Sequence, residues 1–305
     1  MEERVVRRDA PAKINLYLHV IGKRADGYHL LDSLVAFAAI GDSLEVRPAA
    51  TLSLAVSGPF ASLVADDDGN LVMRAGRALA AAAGVEAGAR MSLEKRLPVA
   101  AGLGGGSADA AATLRALVEL WGLASDEDQL HALGVSLGAD VPACLAGQTV
   151  FVSGVGEKVA PAQKLPPVDV VLVNPGPPVP TGEVFAAVRG APSGPGRFAE
   201  TPASAVDLAG LLASRRNDLE RPAAAMVPAI SETLRLLEAQ PGCLLARMSG
   251  SGATCFGLFP EARAAQAAAA ATRALHPEWW VAAAPLIAGR ARGPGRDPAK
   301  LALGR

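Results

Sequence analysis

Pro98-Val-Ala-Ala-Gly-Leu-Gly-Gly-Gly-Ser-Ala108 is the stretch on which the fold turns. It leaves a strand-like segment, Met91–Lys95, and runs into a helix-like one, Ser107–Trp121, with Ser107 placed as N-cap and Gly122 just past the end. Gly102, Gly104, Gly105 and Gly106 remove four side chains, so backbone N–H groups can close on a polyanion. The helix start behind them adds unsatisfied donors and the positive end of a dipole, which suits phosphate. A linker or a tight packing turn would also be glycine-rich, but neither requires the strand–loop–helix setting. Two familiar nucleotide loops fail on spacing. A Walker A loop ends in Gly-Lys-Ser/Thr, whereas this one ends Gly106-Ser107-Ala108 without a lysine; GxGxxG is absent because Gly102 and Gly104 are followed by Ser107.

Upstream of the loop, Val5–Asp9 and Lys13–Val20 read as strands, the second alternating Ile14, Leu16, Leu18 and Val20 with Asn15, Tyr17 and His19 as a half-buried strand does. Ser43–Arg47 and Thr51–Val56 repeat the signal, Asp66–Asn70 supplies a polar turn, and Leu71–Ala83 is helical. Downstream, Ser125–Leu137 is a helix opened by a Ser-x-x-Asp start resembling a capping box. Gln148–Ser153 and Asp169–Asn174 are strands, and Gly190–Pro202 is a Pro- and Gly-rich loop predicted to be mobile. Helices follow at Pro228–Ala239 and Glu261–Leu275, with strands at Leu244–Met248, Thr254–Phe259 and Trp279–Pro285. Gly289–Arg305 has no period and reads as a disordered tail. Strands and helices mix without regular βαβ alternation, which predicts an α+β fold of two domains, at 1–160 and 161–288.

Composition narrows the function class. With 29 basic and 30 acidic residues the chain is nearly neutral, which excludes a general nucleic-acid binder but not a local anion site. The Ala-rich runs at Leu79–Gly84 and Ala264–Ala271 are broken by polar residues well short of the ~20 needed for a span, and the charged Met1-Glu-Glu-Arg start lacks a signal-peptide core. A soluble, cytoplasmic protein without membrane or nucleic-acid partners is expected, as monomer or homodimer. Cys144, Cys243 and Cys255 form no CxxC pair, and the four histidines form no HExxH, so neither a disulfide frame nor a transition-metal site is expected. Lysine occurs only at Lys13, Lys23, Lys95, Lys158, Lys164 and Lys300 in a chain that otherwise uses arginine, and Lys13 lies among apolar neighbours.

With these residues in view, Pro98–Ala108 resembles the phosphate loop of the GHMP kinases. Four further segments fit in the family's order: Ala10-Pro-Ala-Lys-Ile-Asn-Leu-Tyr-Leu18 with Arg24-Ala-Asp-Gly-Tyr-His-Leu30, Gly138-Ala-Asp-Val-Pro142, Asn217-Asp-Leu-Glu220 and Met248-Ser-Gly-Ser-Gly-Ala-Thr-Cys-Phe256. They narrow the resemblance to the branch whose acceptor is a cytidine diphosphate derivative. The likeness runs from about Val5 to about Pro285 and implies a two-domain α+β kinase with its active site in the interdomain cleft. The implied reaction is transfer of the γ-phosphate of ATP, with Mg²⁺, to the 2-hydroxyl of a diphosphocytidyl methylerythritol in the non-mevalonate isoprenoid pathway. A kinase for homoserine or a mevalonate-type acceptor is the alternative enzyme, and a non-catalytic metabolite sensor is the alternative class. The sensor would have lost the lysine or the carboxylate, and both are present.

Carried over residue by residue, the resemblance makes Asp140 the base that takes the acceptor's proton and Lys13 the ammonium that orients Asp140 and offsets phosphate charge. On sequence alone, a turn or helix cap after Leu137 is the other role open to Asp140. ATP would be held by Pro98, Val99, Ala100, Ala101, Gly102, Leu103, Gly104, Gly105, Gly106, Ser107 and Ala108. Ser107 and Asp140 would stand near the Mg²⁺, whose ligands the motifs do not name. Tyr28 and Phe185 would stack the cytosine between them and His29 would bond its edge, unless these aromatics only pack; Asn15 and Thr181 would meet the substrate's polar groups. Gly250-Ser251-Gly252 is either a tight turn or a second wall near the phosphates. The position seven residues after Tyr28, often aromatic in related enzymes, is Val35, which changes one expected wall of the pocket.

Overall fold

The computed structural model describes residues 4–86, 88–124 and 126–287. The chain opens with a long antiparallel pair, β1 (Val6–Lys23) and β2 (His29–Ala49), joined by a turn closed by Arg24 N–H donating to Tyr28 O at 2.7 Å. Gly27 enters that turn at φ +92°, where an L side chain is strained. The C-terminal half of β2 pairs with β4 (Gly88–Glu94) and its N-terminal half with β5 (Val150–Gly154). With β3 (Ser53–Ser57) parallel to β4 and β6 (Lys158–Pro161) beyond β5, this makes one mixed sheet. The second sheet is fully antiparallel, in the order β10 (Trp280–Pro285), β7 (Asp169–Asn174), β9 (Cys255–Phe259), β8 (Leu245–Met248).

Helices α1 (Leu71–Ala83), α2 (Gly105–Trp121) and α4 (Val141–Ala146) lie against the first sheet, and α3 (Glu127–Leu137) packs on those helices. Alanines at 108, 110–112 and 116 give α2 a small-residue face that lets it lie close against β1 and β2. Helices α5 (Thr181–Ala186), α6 (Ala205–Ala213), α7 (Glu220–Met226), α8 (Ala229–Glu238) and α9 (Ala262–Leu275) accompany the second sheet. The two sheets share one apolar core: Ile14, Leu16 and Ala36 of the first lie in the same buried cluster as Leu172, Phe256 and Leu258 of the second. Just past β10, Ile287 N–H returns to Phe37 O at 2.7 Å, tying the end of the described chain to β2.

Several expectations change. β1 is one continuous strand through residues 10–12, with register shifts at Pro11/Lys13, Asn15/Tyr17 and Val20/Gly22. Both of its faces are buried between residues 12 and 20, so Lys13, Asn15, Tyr17 and His19 are interior rather than the solvent side of a half-buried strand. The alternation is real, but its polar face meets the second half of the chain instead of water. Ser107 is not the N-cap of α2: the helix starts two residues earlier, capped by Gly104 at φ +62°, with Ala108 N–H bonding Gly104 O at 2.9 Å. α3 is capped by Asp126, whose carboxylate accepts from Asp128 and Gln129 N–H; Ser125 lies outside the described residues. The Gly190–Pro202 loop is strapped down rather than loose. Ser193 N–H bonds Val20 O, the His19 ring bonds Gly194 O, and Asp32 accepts from Gly196 N–H and Arg197. The tail read at 289–305 lies outside the described residues.

Candidate active site

A cleft of about 740 Å³ opens between the sheets, with the glycine loop as its floor. The loop is fastened by its apolar residues, since Leu97, Ala101 and Leu103 are buried in the shared core. Backbone bonds fix it from both sides: Lys13 N–H donates to Leu103 O at 2.9 Å and Thr254 N–H to Ala101 O at 3.2 Å. The Ser249 hydroxyl donates to Gly102 O at 2.9 Å. Gly102 (φ +75°) passes so close to the turn at 249–252 that a Cβ would stand 2.3 Å from Ser249 O, while a Cβ on Gly104 would meet the Lys13 stem at 3.2 Å. These glycines therefore serve close backbone approach as well as exposure of N–H groups.

Lys13 projects from β1 beside this floor and its Nζ lies 3.0 Å from Asp140 Oδ1. The pair is asymmetric: the Lys13 side chain is 4% exposed and that of Asp140 45%. Asp140 occupies the N-cap position of α4, yet its side chain makes no capping bond there and turns to the lysine instead. A carboxylate held by a buried ammonium and open on its other side can receive a proton from a hydroxyl delivered into the cleft.

Two residues further along β1, Asn15 donates from Nδ2 to the Ser33 hydroxyl at 2.8 Å, its Oδ1 is buried without a protein partner, and its N–H bonds Ser249 Oγ at 3.2 Å. Thr181 Oγ1 lies 2.8 Å from Ser251 Oγ, fastening the start of α5 to the turn at 249–252, and Phe185 lines the cleft from the end of that helix. His29 stacks on Phe185 with ring centroids 5.4 Å apart and planes at 26°. Burial and the Lys23 ammonium hold the His29 imidazole below its usual range, which favours its neutral form. Tyr28 is 64% exposed and stands off the lining of the cleft. Lys13, Asn15, Thr181, Phe185, Asp140 and the loop are thus brought together, whereas Tyr28 and Phe185 do not face each other across a slot. Val35 is buried among Phe37, Ala143 and Val150, away from the lining.

The Asn217–Glu220 segment works on the turn rather than in the cleft. Asn217 Nδ2 donates to Met248 O and Gly250 O, both at 2.8 Å, and Glu220 accepts from Met248 N–H at 2.9 Å. Three polar residues beneath the loop went unread in the sequence: Asp42, Lys95 and Asp109. All are buried, Lys95 donates to Asp42 at 2.5 Å and Asp109 at 2.8 Å, and both Lys95 and Asp109 line the cleft. The scarcity of lysine that marks Lys13 marks Lys95 equally. Among the described residues no cluster of three His, Cys, Asp or Glu side chains forms a ready metal cage, and no helix is long and apolar enough to cross a membrane.

Residues 70–148 match the GHMP kinases N terminal domain and residues 199–277 the GHMP kinases C terminal domain. A protein of Paramagnetospirillum magneticum named 4-diphosphocytidyl-2-C-methyl-D-erythritol kinase is 55% identical over 279 residues, covering 92% of this chain and 98% of that one. A protein of the same name from Cereibacter sphaeroides is 56% identical over 275 residues, covering 89% and 96%. A crystal structure of 4-(cytidine 5'-diphospho)-2C-methyl-D-erythritol kinase superposes with a TM-score of 0.74 at 40% identity, covering 93% of this chain and all of that one. Homoserine kinase from Cytophaga hutchinsonii shares the fold, with a TM-score of 0.70 at 17% identity over 95% of this chain and 96% of its own. Loop, cleft and sequence agree: the chain belongs to the GHMP kinases, ATP-dependent enzymes, and within them to the 4-diphosphocytidyl-2-C-methyl-D-erythritol kinase family.

Proposed function

We propose that the protein transfers the γ-phosphoryl group of ATP to the 2-hydroxyl of 4-diphosphocytidyl-2-C-methyl-D-erythritol, giving the 2-phosphate, as a step of the non-mevalonate isoprenoid pathway. The observation that carries this reading is the Lys13–Asp140 pair, 3.0 Å apart, beside a glycine-rich helix start in one cleft. Phosphoryl transfer requires little covalent chemistry from a protein and much positioning. The phosphates lie on the loop from Pro98 to Ala108, where N–H groups and the start of α2 meet negative charge. The other end of the cleft, lined by Leu63–Ala65 and Asn70, takes the rest of the nucleotide.

Asp140 accepts the hydroxyl proton as the oxygen attacks phosphorus. Lys13 keeps that carboxylate oriented and lowers the cost of charge on the transferred group. Asn15 Oδ1, buried without a protein partner, accepts from a substrate hydroxyl. Phe185 offers one face to the cytosine, neutral His29 a bond to its edge, and Tyr28 closes over the other face when substrate binds. Ser107 and Asp140 line the same cleft and suit Mg²⁺, which needs few protein oxygens and keeps several waters; they would hold it where it offsets phosphate charge.

Steady-state ADP release with Mg-ATP, comparing this acceptor with homoserine and mevalonate, tests the reading. Turnover confined to the cytidine compound is expected. Turnover with another acceptor alone refutes the assignment of substrate, and none with any refutes the assignment of activity.

A further inference from the structure

We propose that Lys95, Asp42 and Asp109 form a buried clamp that sets the shape of the phosphate loop, with Lys95 as its positioning residue. The inference rests on the reading of residues 98–108 as the ATP site. Lys95 is the residue at which the chain leaves β4 for the loop, and Asp109 lies one turn into α2, just past the end of the loop. One ammonium therefore joins the two ends, donating to Asp109 Oδ2 at 2.8 Å and to Asp42 Oδ2 at 2.5 Å. Asp42 completes the tie through its other oxygen, which accepts from Arg96 N–H at 2.6 Å and Leu97 N–H at 2.9 Å. The entry to the loop, its exit and strand β2 meet at a single point.

The composition of that point argues for more than packing. Two carboxylates share one ammonium where all three residues are at most 3% exposed, and Asp109 Oδ1 has no partner. Burial and the neighbouring Asp42 carboxylate push the Asp109 carboxyl up to about 7, against the pull of Lys95. Such a cluster is a poor way to stabilise a core, because well-packed apolar residues of similar volume serve as well or better. Its place is under the phosphates: Lys95 and Asp109 line the cleft, and a Cβ on Gly105 would lie 3.3 Å from Lys95 Nζ. The first residue of α2 thus packs closely against the ammonium.

The test separates KM for ATP, KM for the acceptor and kcat in two variants, with thermal midpoints alongside. Asp109→Asn keeps the shape and removes the charge. Lys95→Met/Asp109→Leu removes the pair together, leaving Asp42 held by its two backbone donors. Each is expected to raise KM for ATP about tenfold, the scale of one charged hydrogen bond, while KM for the acceptor stays within about twofold. Folded variants with wild-type KM for ATP overturn the clamp. So do variants in which both KM values rise together as the midpoint falls, or failure of both to fold, since each makes the cluster a folding element only. Absence of ATP turnover in the wild type would refute the ATP site itself, a separate result.

Discussion

Gly102→Ala measures how tightly the phosphate loop is pressed against the turn at 249–252. A Cβ at this position would stand 2.3 Å from Ser249 O, 2.9 Å from Gly252 O and 3.0 Å from Gly252 N. These are backbone atoms, so no side chain can rotate away, and the gap to Ser249 must open by about 0.7 Å to reach 3.0 Å. That movement stretches the bonds from the Ser249 hydroxyl to Gly102 O and from Thr254 N–H to Ala101 O. At about 1 kcal/mol each, added to about 1–2 kcal/mol for an alanine at φ +75°, the loss is about 3–4 kcal/mol. Gly84→Ala is the control: φ is +62° but nothing lies within 4 Å, so only the backbone cost of about 1–2 kcal/mol remains. At roughly 2–4 °C per kcal/mol, Gly102→Ala is expected to lower the melting midpoint by about 8 °C and Gly84→Ala by about half that. KM for ATP is expected to rise only in the first. Equal melting losses in the two variants would refute the close approach of loop and turn.

Asp140→Asn is expected to cut turnover by about 10²-fold or more while KM for ATP stays within a few-fold; unchanged turnover removes Asp140 from the chemistry. Tyr28→Ala and Phe185→Ala are each expected to raise KM for the cytidine substrate by about tenfold, since base stacking contributes about 1–3 kcal/mol. Normal KM values in both would discard base stacking. Asp109 supplies a pH prediction. Its carboxyl titrates near 3.8 in the unfolded chain and at about 7 when buried. Between those values the folded chain holds the extra proton, so this group's contribution to stability falls as pH rises. Thermal midpoints of Asp109→Asn are expected to decline less steeply than wild type from about pH 4 to 7; identical slopes would mean that the Asp109 carboxyl is not raised.

What could be read from the chain was local. The helix at Leu71–Ala83 and the strand at Asp169–Asn174 match the structure because each is set locally: a polar turn ending in Asn70, which the structure shows capping Val72 N–H, precedes the helix, and the strand is a Val-rich run. The loop was legible because four glycines between a strand and a helix restrict what the backbone can be for. β2 was harder: only Ser43–Arg47 showed a clean alternation, because residues 32–38 are buried on both faces and have no period. The start of α2 was misplaced because Gly104 caps it through backbone conformation, without the side-chain signature that Ser107 displays. The short helices α4 to α7 carry too few turns for a period to register.

The site divides along the same line. Lys13 and Asp140 lie 127 positions apart, and no pattern in the chain joins them; the family resemblance placed each, and the fold supplies the 3.0 Å between them. Residues that hold the site, rather than touch its ligands, had no such help. Asn217, Glu220 and Ser249 look like ordinary polar residues until their partners are known to be the backbone of the turn and loop. The Asp42–Lys95–Asp109 cluster spans three elements, so each member alone reads as a surface charge. What makes it conspicuous is burial, and burial follows from both sheets sharing one core beneath the loop. The same packing that conceals these residues in the sequence holds the loop in one shape, which the proposed binding of phosphate through its backbone requires. A loop of glycines left to itself would lose conformational entropy on meeting ATP. Fastened at Leu103, Gly102, Ala101 and, through Lys95, at both ends, it has met that cost on folding.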